Sequence, residues 1–359
     1  MSELVDKALR VLVWLLISVI LLAILFAGLL IVLCPPLLLR LLPVSPCPEE
    51  HREISFDISP DGEKIVFTAA GKGCRDLYLL DLRTYKVRVL SETGALEADP
   101  RFLPDGQNIV YSARLESQNP KGPWYLFVRS VDGKTVRQLT RDPGVWVEDR
   151  DPKPVPGVNR IVFTRWHRLV RGSLGGFART DPAEYVINLD GTGLRRLPRP
   201  FILDISPDGK KVLVVGEMVI DPNWQGRSIL LGIISAPWVV EKHPPKPQLI
   251  KIGPYSAALW SPDGREIAFI SDRAKAFAYE VWLTDIEGKK IEQLTHMDTY
   301  TKCLRFSPKG DSLLFLAKVK DAGMVFELYE VNIKQRKVKR IADRRLFDDP
   351  LHWKPEGTK

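Results

Sequence analysis

The sequence predicts an all-β fold: a six-bladed β-propeller of four-stranded antiparallel blades, preceded by one N-terminal transmembrane helix. Three observations carry this expectation. The phrase "SPDGEKIVFTA" from Ser59 returns as "SPDGKKVLVVG" from Ser206 and "SPDGREIAFIS" from Ser261. Six prolines recur at spacings of 44, 52, 51, 55 and 46 residues: Pro60, Pro104, Pro156, Pro207, Pro262 and Pro308. The chain also opens with an apolar run too long for a core element.

The run from Val11 to Leu33 has 23 residues and no charge. At 1.5 Å per residue a helix needs about 20 residues to cross a bilayer, so the run reads as a membrane span. A cleavable signal has a shorter apolar region and a small-residue site after it. Here the run continues into "LCPPLLLRLLPVSPCP", which has no such site. Residues 1–10 then form a short cytoplasmic tail and 11–33 an uncleaved signal anchor. Lys7 and Arg10 before the span and Arg40 after it lean toward an inside N-terminus, which leaves the rest of the chain extracytoplasmic. Residues 34–53 carry Pro35, Pro36, Pro43, Pro46 and Pro48 and read as a stiff stalk, because proline cannot continue a helix and favours extended backbone.

From residue 54 to 347 each repeat has the same order. A short strand precedes the proline, a turn follows, and the second strand opens five residues after the proline at Ile65, Ile109, Ile161, Val212, Ile267 or Leu313. Third strands such as "DLYLLDL" and "EVWLTDI" and fourth strands such as "KVRVL" and "KIEQLT" complete the unit. Four short strands per repeat of this length are the pattern of propeller blades. Proline presets φ in the turn, aspartate bonds local backbone and glycine accepts positive φ. Asp61, Asp105, Asp208 and Asp263 are therefore turn residues before they are candidate catalysts. Residues 348–359 form a C-terminal stub, in which "LHWKPEG" from Leu351 matches "ALWSPDG" from Ala258 and resembles a seventh first strand.

The repeated Ser-Pro-Asp-Gly turn, the following strand, the Leu-Tyr-x-x-Asp element and the strand ending in Leu-Thr resemble the Pro-Asp repeat of TolB-like β-propellers. They are related in pattern to the propellers of prolyl-oligopeptidase-type enzymes. The resemblance covers about Ile54 to Phe347. It implies a propeller and leaves function open, since such blades serve interaction, ligand binding and catalysis alike. The hydrolase domain of the peptidase group is not expected: the only echo of its nucleophile elbow is "RGSLGG" around Ser173, with the wrong spacing.

Other chemistry is thinly represented. His167, His243, His296 and His352 show no metal-ligand spacing; a metal site of the kind some repeat relatives carry would need His167, His296 and His352 to converge. "GTG" at Gly191 sits in a hairpin and reads as a turn, not a phosphate loop. No cofactor or metal site is expected. Cys47 and Cys74 are near enough in sequence to form a clasp outside the cell, or remain free thiols.

The net charge is +8, and the first 53 residues hold 4 basic and 5 acidic residues, so the positive excess lies in the propeller. It suits an acidic protein partner, an anionic polymer or an anionic lipid surface. Nucleic acid is not an expected partner for an anchored extracytoplasmic ring. A binding surface is expected on the longest connection between a second and third strand, "TRWHRLVRGSLGGFARTD" in repeat three, with Arg165, Trp166, His167, Arg168, Arg171, Phe177 and Arg179. Arginine and aromatic side chains on a loop of a rigid scaffold are the mixture favoured at interface hot spots. The reading is a monomeric, membrane-anchored ring that binds a protein or ligand at the cell envelope. The alternative is an extracytoplasmic propeller enzyme, of polysaccharide lyase or hydrolase type, with its site at the mouth of the central channel.

Overall fold

The computed structural model describes residues 54–71, 74–91, 93–115, 122–141, 147–171, 176–179, 182–198, 201–221, 226–235, 247–250, 252 and 256–355. All of these belong to one compact unit, Glu50–Lys359. The apolar run Val11–Leu33, the stalk and Cys47 lie outside the described residues. Among the described residues no helix is long and apolar enough to cross a membrane.

This unit is built of antiparallel sheets whose strands follow one another in sequence. Four of these are separate four-stranded blades, begun by Val147–Pro154, Ile202–Ile205, Ala257–Trp260 and Thr301–Phe306. The first of them gains a fifth strand, Gly176–Arg179, on its second strand. Six separate blades are therefore not what the hydrogen bonding shows. Repeats one and two share one eight-stranded sheet, joined where Arg75 pairs in parallel with Leu96. The physical cause is a buried junction: Arg75 Nε donates to the Glu97 carbonyl at 2.7 Å, and the Leu77 amide donates to Glu97 Oε2 at 2.9 Å.

The first strands lie at the edges of their sheets, except that of repeat two, Leu96–Phe102, which pairs on both sides inside the shared sheet. Those of repeats one and two, two and three, four and five, five and six, and six and one touch. The turn phrases meet in the same order. The direction a side chain would take from Gly106 meets Pro60, from Gly264 Pro207, from Gly310 Pro262 and from Gly62 Pro308, at 3.4 to 3.8 Å. Both Gly62 and Gly106 have positive φ, so the turn and the close packing each favour glycine there. The aspartates act locally. Ser59 Oγ donates to Asp61 Oδ1 at 2.5 Å and the Glu63 amide donates to the same oxygen at 2.9 Å; Ser206 with Asp208 and Ser261 with Asp263 repeat the contact at 2.6 Å. These bonds hold the Asp61 carboxyl below its ordinary pKa.

Five of the six repeats carry the same cross-strand aromatic pair between second and third strands: Phe67 with Tyr78, Tyr111 with Phe127, Phe163 with Tyr185, Phe269 with Trp282 and Phe315 with Tyr329, at centroid distances of 5.7 to 6.3 Å. Such stacked pairs add about 0.5–1.5 kcal/mol beyond burial. Repeat four places Val214 opposite Gly232 instead.

The C-terminal stub is not a seventh first strand. Residues Arg345–Asp348 form a short helix and Pro350–His352 a 3-10 turn. The sheet of repeat six is already complete with Val338–Ala342, so no strand position is left. Leu346, Phe347 and Trp353 instead enter the core cluster that contains Phe56, Phe67 and Tyr78 of repeat one and Leu314, Leu316 and Phe326 of repeat six.

Candidate functional site

Three residues before each turn proline, on the inner strands, stand Asp57, Arg101, Lys153, Asp204, Leu259 and Arg305. Five of the six are charged, and they interact around the inside of the ring. Arg305 Nε donates to Asp57 Oδ1 at 2.8 Å, and Arg101 Nε lies 3.8 Å from Asp57 Oδ2. Asp57 Oδ2 also accepts the Phe102 amide at 2.8 Å, and Asp204 Oδ2 accepts the Trp260 amide at 2.8 Å. Each aspartate thus ties its own inner strand to the backbone of the next repeat.

Just upstream, the inner strands bulge. Asp99, Asp151 and Cys303 have positive φ, and the pairing slips beside each of them. A bulge bends a strand and re-aims its side chains. Arg150 Nε donates to Asp99 Oδ2 at 2.7 Å, while its guanidinium lies 4.4 Å from the Trp124 ring centre, with Arg114 at 5.4 Å from the same ring. Lys153 Nζ donates to Asp151 Oδ2 at 2.5 Å.

This crowding sets the proton affinities. Burial works against the charge on Lys153, but Asp151 and Glu184 outweigh it and raise its pKa. For Arg101 burial is likewise outweighed by Asp57, Asp204, Asp151 and Asp99. Burial raises the Asp204 pKa despite Arg101, and burial together with repulsion from Arg101 lowers that of Arg305. Glu184 is 4% exposed and accepts from Thr164 Oγ1 at 2.9 Å; burial raises its pKa against the pull of Lys153. Its other oxygen, Oε2, has no hydrogen-bond partner among the described residues.

The expected binding loop of repeat three is a hairpin. Arg165, Trp166, His167, Arg168 and Arg171 lie on the second strand, Arg160–Arg171, and Phe177 and Arg179 on the returning strand Gly176–Arg179. Arg168 pairs with Arg179, and Val170 with Phe177. The side chains of Arg168, Arg171, Phe177 and Arg179 are outside what the structure describes. Arg165 is a correction: it is 3% exposed, and its Nε and Nη2 donate to the two carboxylate oxygens of Asp149 at 2.6 and 2.8 Å. Its guanidinium also lies 5.1 Å from the Tyr185 ring centre. It is a bracing residue of the blade, not part of an open surface. Trp166 and His167 are half-buried and sit opposite Glu148 and Val147 of the inner strand.

Repeat four extends in the same way. Lys211–Asp221 and Gly226–Ser235 remain paired past a slip at Val215, from Met218 opposite Ile229 to Asp221 opposite Gly226. The antiparallel order puts both hairpins at the end of the ring opposite the Ser-Pro-Asp-Gly turns. His167 and His296, on repeats three and five, and His352 at the C-terminal turn form no metal-binding group; no cluster of three or more His, Cys, Asp or Glu suited to a metal occurs among the described residues. The Cys303 thiol donates to the Ile54 carbonyl at 3.5 Å.

No protein-family model matches the sequence. Solved structures do share the fold. TolB from Acinetobacter baumannii is similar at 17% identity and a TM-score of 0.56, over 78% of this chain and 63% of that one. The putative TolB from Agrobacterium tumefaciens is similar at 20% identity and 0.51, over 74% and 87%. Hydrazine synthase of Kuenenia stuttgartiensis is similar at 15% identity and 0.56, over 82% of this chain and 46% of the enzyme. The chain thus spans less than two thirds of the first and third of these proteins. These likenesses, at such identities, show the fold alone, a TolB-like propeller.

Proposed function

We propose that this chain is a membrane-anchored propeller whose six repeats work as one ring and bind a protein partner at the cell envelope. The observation that carries the reading is the pair of extended hairpins on the neighbouring repeats three and four. Among the described residues their second strands are the longest, 12 and 11 residues, and they run on past the pairing with their inner strands, bringing Trp166, Arg168, Arg171, Phe177 and Arg179 to one end. Loops and hairpins on a rigid scaffold are where recognition concentrates. The inner-strand charges support the rigid scaffold: Asp57 and Asp204 bond the backbone of the next repeat. An acidic partner would complement the positive balance of the chain beyond residue 53.

The test is crosslinked capture of the full-length protein from its own membranes. Replacing Trp166 and Arg168 by alanine is expected to abolish recovery of the main partner, a loss of about 2 kcal/mol or more for a hot spot. Equal recovery by the double variant would remove the repeat-three hairpin from the interface.

A second reading, an extracytoplasmic enzyme, has one observation in its favour. Glu184 is a buried carboxyl with a raised pKa and a bare oxygen, with the charge of Lys153 acting on it, and such groups concentrate at reactive sites. Turnover of an anionic polysaccharide that disappears in Glu184→Gln, with folding intact, would favour it over the binding module.

A further inference from the structure

The end of the ring that carries the hairpins also carries exposed apolar side chains on the neighbouring repeats. Phe277, in the connection between the second and third strands of repeat five, is 86% exposed, and Met324, in the matching connection of repeat six, is 72% exposed. Leu115, at the end of the second strand of repeat two, is 56% exposed at the same end. Phe277 has a φ of 66°, a conformation that bulky residues rarely adopt. The loop holds it there: its amide donates to Asp272 Oδ2 at 3.3 Å, and the Ala278 amide donates to the Lys275 carbonyl at 3.1 Å. An aromatic ring fixed outward on a braced loop is presented to something.

Its surroundings say what. Lys275 Nζ bonds both oxygens of Asp298 at 2.6 and 2.7 Å, and Lys320 of the next repeat acts on the same carboxylate. Lys302 Nζ lies 4.1 Å from the Phe326 ring centre. Tyr279 and Tyr300 pack edge-on, 5.2 Å apart. Asp272 and Asp298 are engaged by the loop and by Lys275, and Asp321 stands among the lysines. Exposed apolar tips with tyrosines and lysines on the same neighbouring repeats are the composition of a surface that enters the boundary between headgroups and acyl chains.

The chain's own entry lies at this end. Phe56 pairs with Phe67 and Ile58 with Ile65, so the first inner strand runs away from the hairpin end toward the first turn. The 53 residues before Ile54 include the uncharged run Val11–Leu33. We propose that the repeat-five and repeat-six side of this end docks on anionic lipid, apart from the hairpins of repeats three and four, with Phe277 and Met324 at the acyl boundary and Lys275 and Lys320 facing the headgroups. This rests on the reading that the chain is membrane-anchored, and the two are tested apart.

The test uses the full-length protein in detergent micelles, in vesicles of phosphatidylcholine, and in vesicles that also contain phosphatidylglycerol, followed by amide hydrogen exchange. Amides of residues 272–279 and 319–325 are expected to exchange about tenfold more slowly in the anionic vesicles, while the turn at residues 156–160, at the other end, is unchanged. Lys275→Glu combined with Lys320→Glu, and separately Phe277→Asp, are expected to erase the protection. The same exchange in all three settings, or protection that survives these variants, would overturn the docking. Protection that appears only when other membrane proteins are co-reconstituted would assign the surface to a protein and also overturn it. Alkaline extraction of the same vesicles tests the anchor alone; release of the protein there would sink the anchor, while the exchange in anionic vesicles would still decide the docking.

Discussion

Arg305 Nε donates to Asp57 Oδ1 at 2.8 Å, joining two residues that are 248 positions apart in sequence. The bond links the inner strand of repeat six to that of repeat one, and Asp57 passes the connection on by accepting the Phe102 amide from repeat two. One carboxylate therefore holds three repeats. Asp57→Ala leaves a largely buried guanidinium and an amide without their acceptor, a loss of about 3 kcal/mol. Asp57→Asn keeps an acceptor for the Phe102 amide and is expected to cost less. Urea unfolding of the two variants checks the order, and equal midpoints would show that the charge does not matter to closure.

A second closure device is the C-terminal segment. Phe347 packs edge-on against Phe67 at 5.8 Å and Trp353 lies 6.4 Å from Tyr85, so residues that follow repeat six cover repeat one. Trp353 is 6% exposed. Trp353→Ala, or deletion from Leu351 onward, is expected to cost about 3 kcal/mol and to lower the melting temperature. A melt unchanged from that of the intact chain would reduce the segment to a tail.

The turns were legible because their chemistry is local: Ser59, Pro60, Asp61 and Gly62 explain one another within four residues. The charged inner positions were not read, although a signal was present. Asp57, Arg101, Lys153, Asp204 and Arg305 each stand three residues before a turn proline, but a charge on a short alternating strand looks like an ordinary solvated face. Arg165 was misplaced for a different reason. Its partner Asp149 lies 16 residues away on the inner strand, and only the hairpin pairing brings them together. The stub departs from the expected first strand because "HWKP" keeps that phase, whereas a sheet that is already complete leaves Trp353 only the core between repeats six and one to enter.

Glu97 gives a pH dependence with a definite sign. The carboxyl is buried at the junction of repeats one and two, accepts from the Leu77 amide at 2.9 Å and bonds Ser91; burial is the main cause that pushes its pKa up to about 7. In the unfolded chain it titrates near its ordinary value of 4.5. The native state therefore holds the proton more tightly, and the stability this represents is full below pH 4.5 and lost as the pH rises toward 7. The loss is on the order of 3 kcal/mol at most. Glu97→Gln is expected to unfold at a midpoint that hardly moves across this range, while the parent falls. Parallel pH profiles for the two proteins would mean that Glu97 is not the titrating group.

Arg165 and Arg168 are three residues apart on one strand and are expected to fail in different ways. Arg165 is enclosed, and its partner Asp149 has a fully buried side chain. Arg165→Ala strands that carboxylate without its counter-charge, a cost of about 3–5 kcal/mol for a buried pair with one partner removed. Capture of a partner by this variant should fall only as the folded fraction falls, tracking the melting temperature. Arg168 lies beyond the inner strand, where the backbone pairs with Arg179 of the hairpin alone. Trp166→Ala with Arg168→Ala is expected to keep the unfolding free energy within about 0.5 kcal/mol of the parent, leaving the melting temperature nearly unchanged, and to lose capture. Measuring both quantities on both variants separates bracing from recognition: if Arg165→Ala loses capture while its melt is unchanged, the Asp149 pair does not brace the blade, and if the double variant melts early, the hairpin is structural.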